Sequence, residues 1–199
     1  MKPILTLAFL GILTLAGLLF AWSKINQPDI LPVLGTAPSF TLTQADGSTF
    51  SSDELAGDVW LADFFFTSCG SICPTLTARM SELEDTFEGL NGWKLISISV
   101  DPENDTPEVL SEYAREHDAN PENWIFLTGE KDEVHELVRK GFLQPVEEVT
   151  NQPEPILHTS RIVLVDREGR FRGFYDALDP ESVVELTLDS VRLIENREP

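Results

Sequence analysis

The chain is short of the residues that grip nucleic acid. Of its 199 residues 14 are Lys or Arg against 34 Asp or Glu, a formal charge of −20. Nowhere do the basic side chains cluster, and clustered cations are what a phosphate backbone requires. Nucleic acid is excluded as a partner; a cationic partner or a metal ion stays open. Proline and glycine, 13 and 12 residues, are scattered along the chain, which argues against a disordered chain or a repeat array. Cysteine is scarcer still, with two residues, and histidine supplies three. Any thiol or imidazole chemistry must come from these five side chains.

What the chain has in excess is apolar sequence at its start. From Pro3 to Ser23 no residue is charged, and Ile4 to Trp22 is almost entirely Leu, Ile, Ala, Phe and Gly. Nineteen helical residues rise about 28 Å, close to the ~30 Å of a bilayer core. The small-x-small pattern of a cleaved signal is poor here, since Phe20-Ala21-Trp22 offers bulky rings, and no Cys lies nearby to carry a lipid. Residues 1–24 are therefore expected to be a transmembrane anchor, with a signal peptide as the rival. The bulk of the chain is then expected outside the cytoplasm, in a bacterial periplasm or its equivalent. Residues 25–34, with Pro28 and Pro32, read as a linker, and 35–199 as one domain.

Within that domain Ser39 to Thr43 and Ser48 to Phe50 flank Asp46-Gly47 as a hairpin. Val59 to Phe66 is a continuous apolar run, as a strand buried on both faces reads. Pro74 suits the first turn of a helix whose Leu76, Met80, Leu83 and Phe87 share a face, ended by Gly89 and Gly92. A second buried strand follows over Lys94–Val100. Next come a helix from Thr106-Pro107 to about His117, a short strand at Trp124–Leu127 and a helix from about Lys131 to Gly141. Leu143 to Leu157 reads as one long loop, a length at which loops in compact domains are often functional. A strand from His158, a hairpin around Asp166-Arg167-Glu168-Gly169 and a helix from about Pro180 to Ile194 close the chain. The alternation predicts an α/β fold, a central sheet with helices on both faces.

Chemistry concentrates at Cys69 and Cys73, spaced C-x-x-x-C between a buried strand and a helix start. A disulfide placed for stability is poorly served by so short a loop, which yields only about 2 kcal/mol. A helix N-terminus favours thiolate, the species needed for redox exchange and for metal binding. Two thiolates reach one ion; Cu(I) then needs one further ligand and tetrahedral zinc two. The residues alone leave that ligand open. His117 ends a charged helix and is expected to be solvated. His135, flanked by Glu133 and Glu136, is expected on a helix surface. His158 ends the long loop. Asp101 is either a neighbour of the site or an Asp-Pro turn, and the turn is the better reading.

The pattern Phe66-Thr67-Ser68-Cys69-x-x-x-Cys73-Pro74, Ser99-Val100-Asp101-Pro102 with Asp105-Thr106-Pro107, Trp124 with Leu127-Thr128-Gly129, His158-Thr159-Ser160 and Val165-Asp166-x-x-Gly169 resembles the Sco/SenC family. It runs in order from about Pro38 to Ile194. The resemblance implies a thioredoxin-like fold with an N-terminal hairpin and a membrane anchor. It also implies a copper chaperone, with Cys69, Cys73 and His158 holding copper as Cu(I) and Cu(II) left open. It implies delivery to the copper-binding subunit of cytochrome c oxidase after loading from a copper donor protein. A metallochaperone of this kind is not expected to be an enzyme with turnover. The alternatives are a thiol–disulfide oxidoreductase, with Cys69 and Cys73 as a redox pair acting on the cysteines of that subunit, and a peroxidase-like thiol enzyme. One departure stands out: the family commonly has C-P-D-x-C-P, whereas Gly70, Ser71 and Ile72 fill the gap here, removing a carboxylate from beside the sulfurs.

Overall fold

Backbone glycine, buried apolar runs and helix caps lay out the chain in the order the periodicity predicts. The computed structural model describes residues 31–149 and 156–195. The expected anchor over residues 1–24 and most of the expected linker lie outside these, and among the described residues no helix is long and apolar enough to cross a membrane.

Strand β1 (Gly35–Thr36) precedes the expected hairpin, β2 (Thr41–Gln44) and β3 (Thr49–Ser51). Its turn is closed by Gly47 at φ +84° and by Ser48 N–H donating to Asp46 Oδ1 over 2.8 Å. Then follow β4 (Val59–Phe65), α1 (Cys73–Phe87), β5 (Trp93–Ser99), α2 (Pro107–Glu116), β6 (Trp124–Thr128) and α3 (Lys131–Glu136). The chain ends in the short strands β7 (Val146–Glu148) and β8 (Ile156–His158), then β9 (Arg161–Val165), β10 (Arg170–Asp176) and α4 (Pro180–Glu195). Among the described residues eight strands form one mixed sheet in the order β1-β10-β9-β4-β5-β6-β2-β3.

All seven residues of β4 are buried, because elements cover both faces of the sheet. On one face Phe65 lies against Tyr113 of α2 at 5.3 Å between ring centroids. On the other, Phe142 packs edge-on to Trp60 and Phe64 at 6.1 and 5.1 Å. Helix α1 buries the expected stripe of Leu76, Met80, Leu83 and Phe87. Helix α2 opens on Thr106, whose side chain accepts from Val109 N–H, and on Pro107, which has no N–H to leave unpaired.

Two expectations are corrected. The helix predicted to run from 131 to 141 narrows its regular part to α3 and finishes in a π turn over Leu137–Gly141. That wider turn carries Phe142 into the aromatic core. Gly141 permits it, since a Cβ there would stand 2.7 Å from Pro38 Cγ. The predicted single loop over 143–157 has its two ends paired as β7 and β8, with Val146 opposite His158. His158 accordingly closes β8 rather than opening β9, and Thr159-Ser160 join the two. Strands of three residues beside Pro145 carry too little periodicity to be read from sequence.

The topology decides what meets at the sheet's upper edge. Strands β4, β5 and β6 are parallel, so the loops after β4 and β5 emerge on one edge. Strand β9 runs antiparallel to β4, with Ala62 opposite Val163. The residues just before β9 therefore reach the same edge that β4 leaves.

Candidate metal centre

Cys69 sits in the turn leaving β4, its N–H donating to Phe66 C=O over 3.2 Å. The turn is tied to the next loop by the buried Asp105 carboxylate. Asp105 accepts from Thr67 N–H at 3.1 Å, from Thr67 Oγ1 at 2.5 Å and from Ser99 Oγ at 2.5 Å. Burial pushes the Asp105 carboxyl up, and those donors pull it back toward the charged form. Cys73 is the first residue of α1 and is 1% exposed. Both cysteines are thiols, with no disulfide between them.

His158 completes the group. Its Nε2 lies 3.2 Å from Cys73 Sγ and 3.8 Å from Cys69 Sγ, and the three donor atoms fall within 4.8 Å of one another. Its Nδ1 is 3.1 Å from Thr159 C=O. A carbonyl only accepts, so Nδ1 carries the proton and Nε2 presents its lone pair to the sulfurs, as a metal-ligating imidazole must. Phe66 holds the ring edge-on at 5.4 Å. Two sulfurs and one neutral imidazole nitrogen make a soft donor set, suited to Cu(I) at low coordination. Among the described residues no further His, Cys, Asp or Glu joins this cluster, as a four-ligand zinc site would need.

The expected thiolate-favouring effect of the helix start does not govern Cys73. Burial comes first and pushes its thiol well above the usual range; the Cys69 hydrogen bond and the charges of Cys69 and Asp63 push the same way. A cation arriving at the sulfurs would reverse that balance, since a coordinating thiol gives up its proton.

The remaining histidines stay apart. His117 caps the C-terminus of α2, half-buried, its ring 4.5 Å from that of Tyr113. His135, expected on a surface, is instead buried, its Nε2–H donating to Val100 C=O over 2.8 Å. The flanking acids made α3 look solvated, while its other face packs inward. Asp101 is the Asp-Pro turn, accepting from Asn104 Nδ2 with both carboxylate oxygens.

The sequence pattern did not mark three further groups, two of them near the sulfurs and one behind Thr159. Asp63 lies in the middle of β4, where Ser97 Oγ donates to it over 2.5 Å. Burial pushes its carboxyl up to about 7. A lone acid inside an apolar run was the signal available. Tyr113 shares a 2.7 Å hydrogen bond with Thr77 of α1, and burial raises its hydroxyl to about 12. Gln144, 2% exposed, accepts from Thr159 Oγ1 at 3.1 Å; nothing in the sequence marked it.

The SCO1/SenC family model matches residues 33–191. The SCO1 protein homolog of Bacillus subtilis is 37% identical over 142 residues, spanning 70% of this chain and 73% of its own. Among solved structures, BsSco superposes with a TM-score of 0.71 at 32% identity, over 85% of this chain and all of that one. It is a member of the Sco family of cytochrome c oxidase assembly proteins, in which a disulfide switch was identified. Bradyrhizobium japonicum ScoI, solved with copper bound, superposes at 0.66 with 28% identity, over 79% of this chain and 99% of that one.

Proposed function

The chain belongs to the SCO1/SenC family, and from that premise we propose that it carries copper on Cys69, Cys73 and His158 and delivers it to the copper-binding subunit of cytochrome c oxidase. The observation that carries this reading is the approach of His158 Nε2 to both sulfurs, 3.2 and 3.8 Å. Cu(I) entering between them takes two thiolates, whose protons leave to solvent, and the imidazole binds without losing a proton because its N–H is on Nδ1. The imidazole is neutral and the thiolates are anionic, so His158 is the ligand a partner's own donors displace first. Transfer then proceeds by ligand exchange. The absence of the family's motif carboxylate, with Gly70, Ser71 and Ile72 in its place, leaves the sulfurs and His158 as the whole donor set of this reading.

A second reading draws on the same pair. Loss of two electrons and two protons joins Cys69 and Cys73 as a disulfide and removes both thiolate ligands, so oxidised protein holds no copper. The reduced pair is then also a reductant for a disulfide in the oxidase subunit. Residues 1–24 anchor the domain in this proposal and residues 25–34 tether it, placing residues 35–199 on the non-cytoplasmic side where a donor protein loads it.

Anaerobic Cu(I) titration of the reduced protein against a competing chelator tests the reading. One Cu(I) per chain is expected, with Cys69→Ser, Cys73→Ser and His158→Ala each weakening affinity more than about tenfold. An His158→Ala variant with unchanged affinity and spectrum overturns the three-ligand site. Rapid peroxide consumption by the reduced protein would point to a thiol peroxidase instead.

A further inference from the structure

The two residues between β8 and β9 carry more structure than a connector needs. Thr159 is buried, and its backbone and side chain both act on its neighbours. Its C=O accepts from His158 Nδ1–H, fixing the tautomer and the plane of the ring. Its Oγ1 accepts from Arg161 N–H at 3.0 Å and donates to Gln144 Oε1 at 3.1 Å.

Gln144 is itself held on two sides, its Nε2 donating to Phe142 C=O at 3.1 Å and its N–H to Val138 C=O at 3.0 Å. Phe142 is wholly buried among Phe40, Trp60, Phe64 and Phe171. An unbroken run of contacts therefore leads from the aromatic core through Gln144 and Thr159 to the His158 ring.

The backbone accepts a cost to make this run. Leu143, between Phe142 and Gln144, adopts φ +59° and is 62% exposed. Leucine is disfavoured in the left-handed region, and an apolar side chain gains nothing from solvent there. The π turn just before it is a second local irregularity of a kind that recurs at functional sites. Together they send Phe142 into the core and turn Gln144 inward to Thr159. A strained residue beside a ligand-bearing strand is the pattern expected where geometry is held for a purpose.

We propose that Gln144 is a positioning residue for metal ligation: through Thr159 it holds the His158 ring with Nε2 toward the sulfurs and so sets how fast copper leaves. The inference rests on His158 being a copper ligand. It adds that the ligand's release is governed by a side chain that touches neither metal nor sulfur.

The test uses the reduced full-length protein and its Gln144→Leu, Thr159→Val, Gln144→Leu/Thr159→Val and His158→Ala variants. Two quantities are read: Cu(I) transfer to a chelator, and the nitrogen shifts of the His158 ring in metal-free protein. Gln144→Leu is expected to release Cu(I) about five- to tenfold faster, the scale of one or two hydrogen bonds, and to populate both ring tautomers. The double variant removes both ends of the Gln144–Thr159 bond together, so its thermal midpoint falls by less than the sum of the two single variants while its copper release stays fast; a role confined to stability would make release follow the midpoint. Thr159→Val reads the same link from the other end if Gln144→Leu fails to fold. Wild-type release rates and an undisturbed Nδ1–H tautomer in the Gln144 and Thr159 variants, beside a fast His158→Ala, overturn the positioning role alone. A His158→Ala protein indistinguishable from wild type overturns the ligand reading, and this inference with it.

Discussion

At Asp63 burial and hydrogen bonding pull in opposite directions. It occupies a strand with no exposed position and has Ser97 Oγ as its side-chain donor, itself braced by Trp124 Nε1–H at 2.8 Å. Its carboxyl is raised from an ordinary 3.8 to about 7, because an ion taken out of water loses more than one hydrogen bond returns. Because the folded value lies above the unfolded one, the folded chain holds a proton that the unfolded chain has already shed between those values. Stability from this group is complete below about pH 4 and is lost as pH rises to about 7, a difference on the order of 4 kcal/mol. Asp63→Asn should therefore gain on wild type steadily between pH 4 and pH 7 in urea unfolding and then hold level. A gap between the two proteins that ignores pH would mean that Asp63 ionises freely in the fold.

The loops after β4 and β5 form a single element in energetic terms. Three donors from Thr67 and Ser99 converge on Asp105, so the turn bearing Cys69 cannot shift without opening bonds at the end of β5. The next residue, Thr106, caps α2, which couples that helix to the same turn. Asp105→Asn keeps the volume but replaces one accepting oxygen by a donor facing other donors. It should cost about 1–3 kcal/mol by denaturant unfolding, and a midpoint equal to wild type would show that the loops stand independently. In the same way β9 is tied to β10 around Asp166, which accepts from Arg172 at 2.7 Å and from Arg170 at 2.8 Å.

Charge acts on the molecule as a whole. With a formal charge of −20, most acids have no cation to meet. Ion pairs such as Lys140–Glu136 are exposed and contribute little. Mutual repulsion then destabilises the compact state and is relieved by screening, since the Debye length falls from about 30 Å at 0.01 M salt to about 10 Å at 0.1 M. The thermal midpoint of the reduced, metal-free protein should rise by several degrees between 10 and 300 mM NaCl in calorimetry. A flat or falling midpoint would mean that short-range pairs outweigh the net field.

Local pattern was enough to identify the long elements and the two sulfurs: the apolar run of β4, the stripe of α1, the Asp-Gly turn of the hairpin and the C-x-x-x-C spacing each depend on residues close in sequence. The five ordered motifs were likewise enough to mark His158 through family resemblance, though composition alone left all three histidines open. Tertiary structure decided everything that depends on partners far along the chain. Sheet register brings His158 to Cys73 across 85 positions and to Cys69 across 89, packing buries His135 against Val100, and desolvation overrides the helix start at Cys73. It also paired the ends of the supposed loop and turned Gln144 inward to Thr159. Periodicity reports which face of an element is apolar; it carries no record of which distant element covers that face, and burial, hydrogen bonding and proton affinity all follow from the cover.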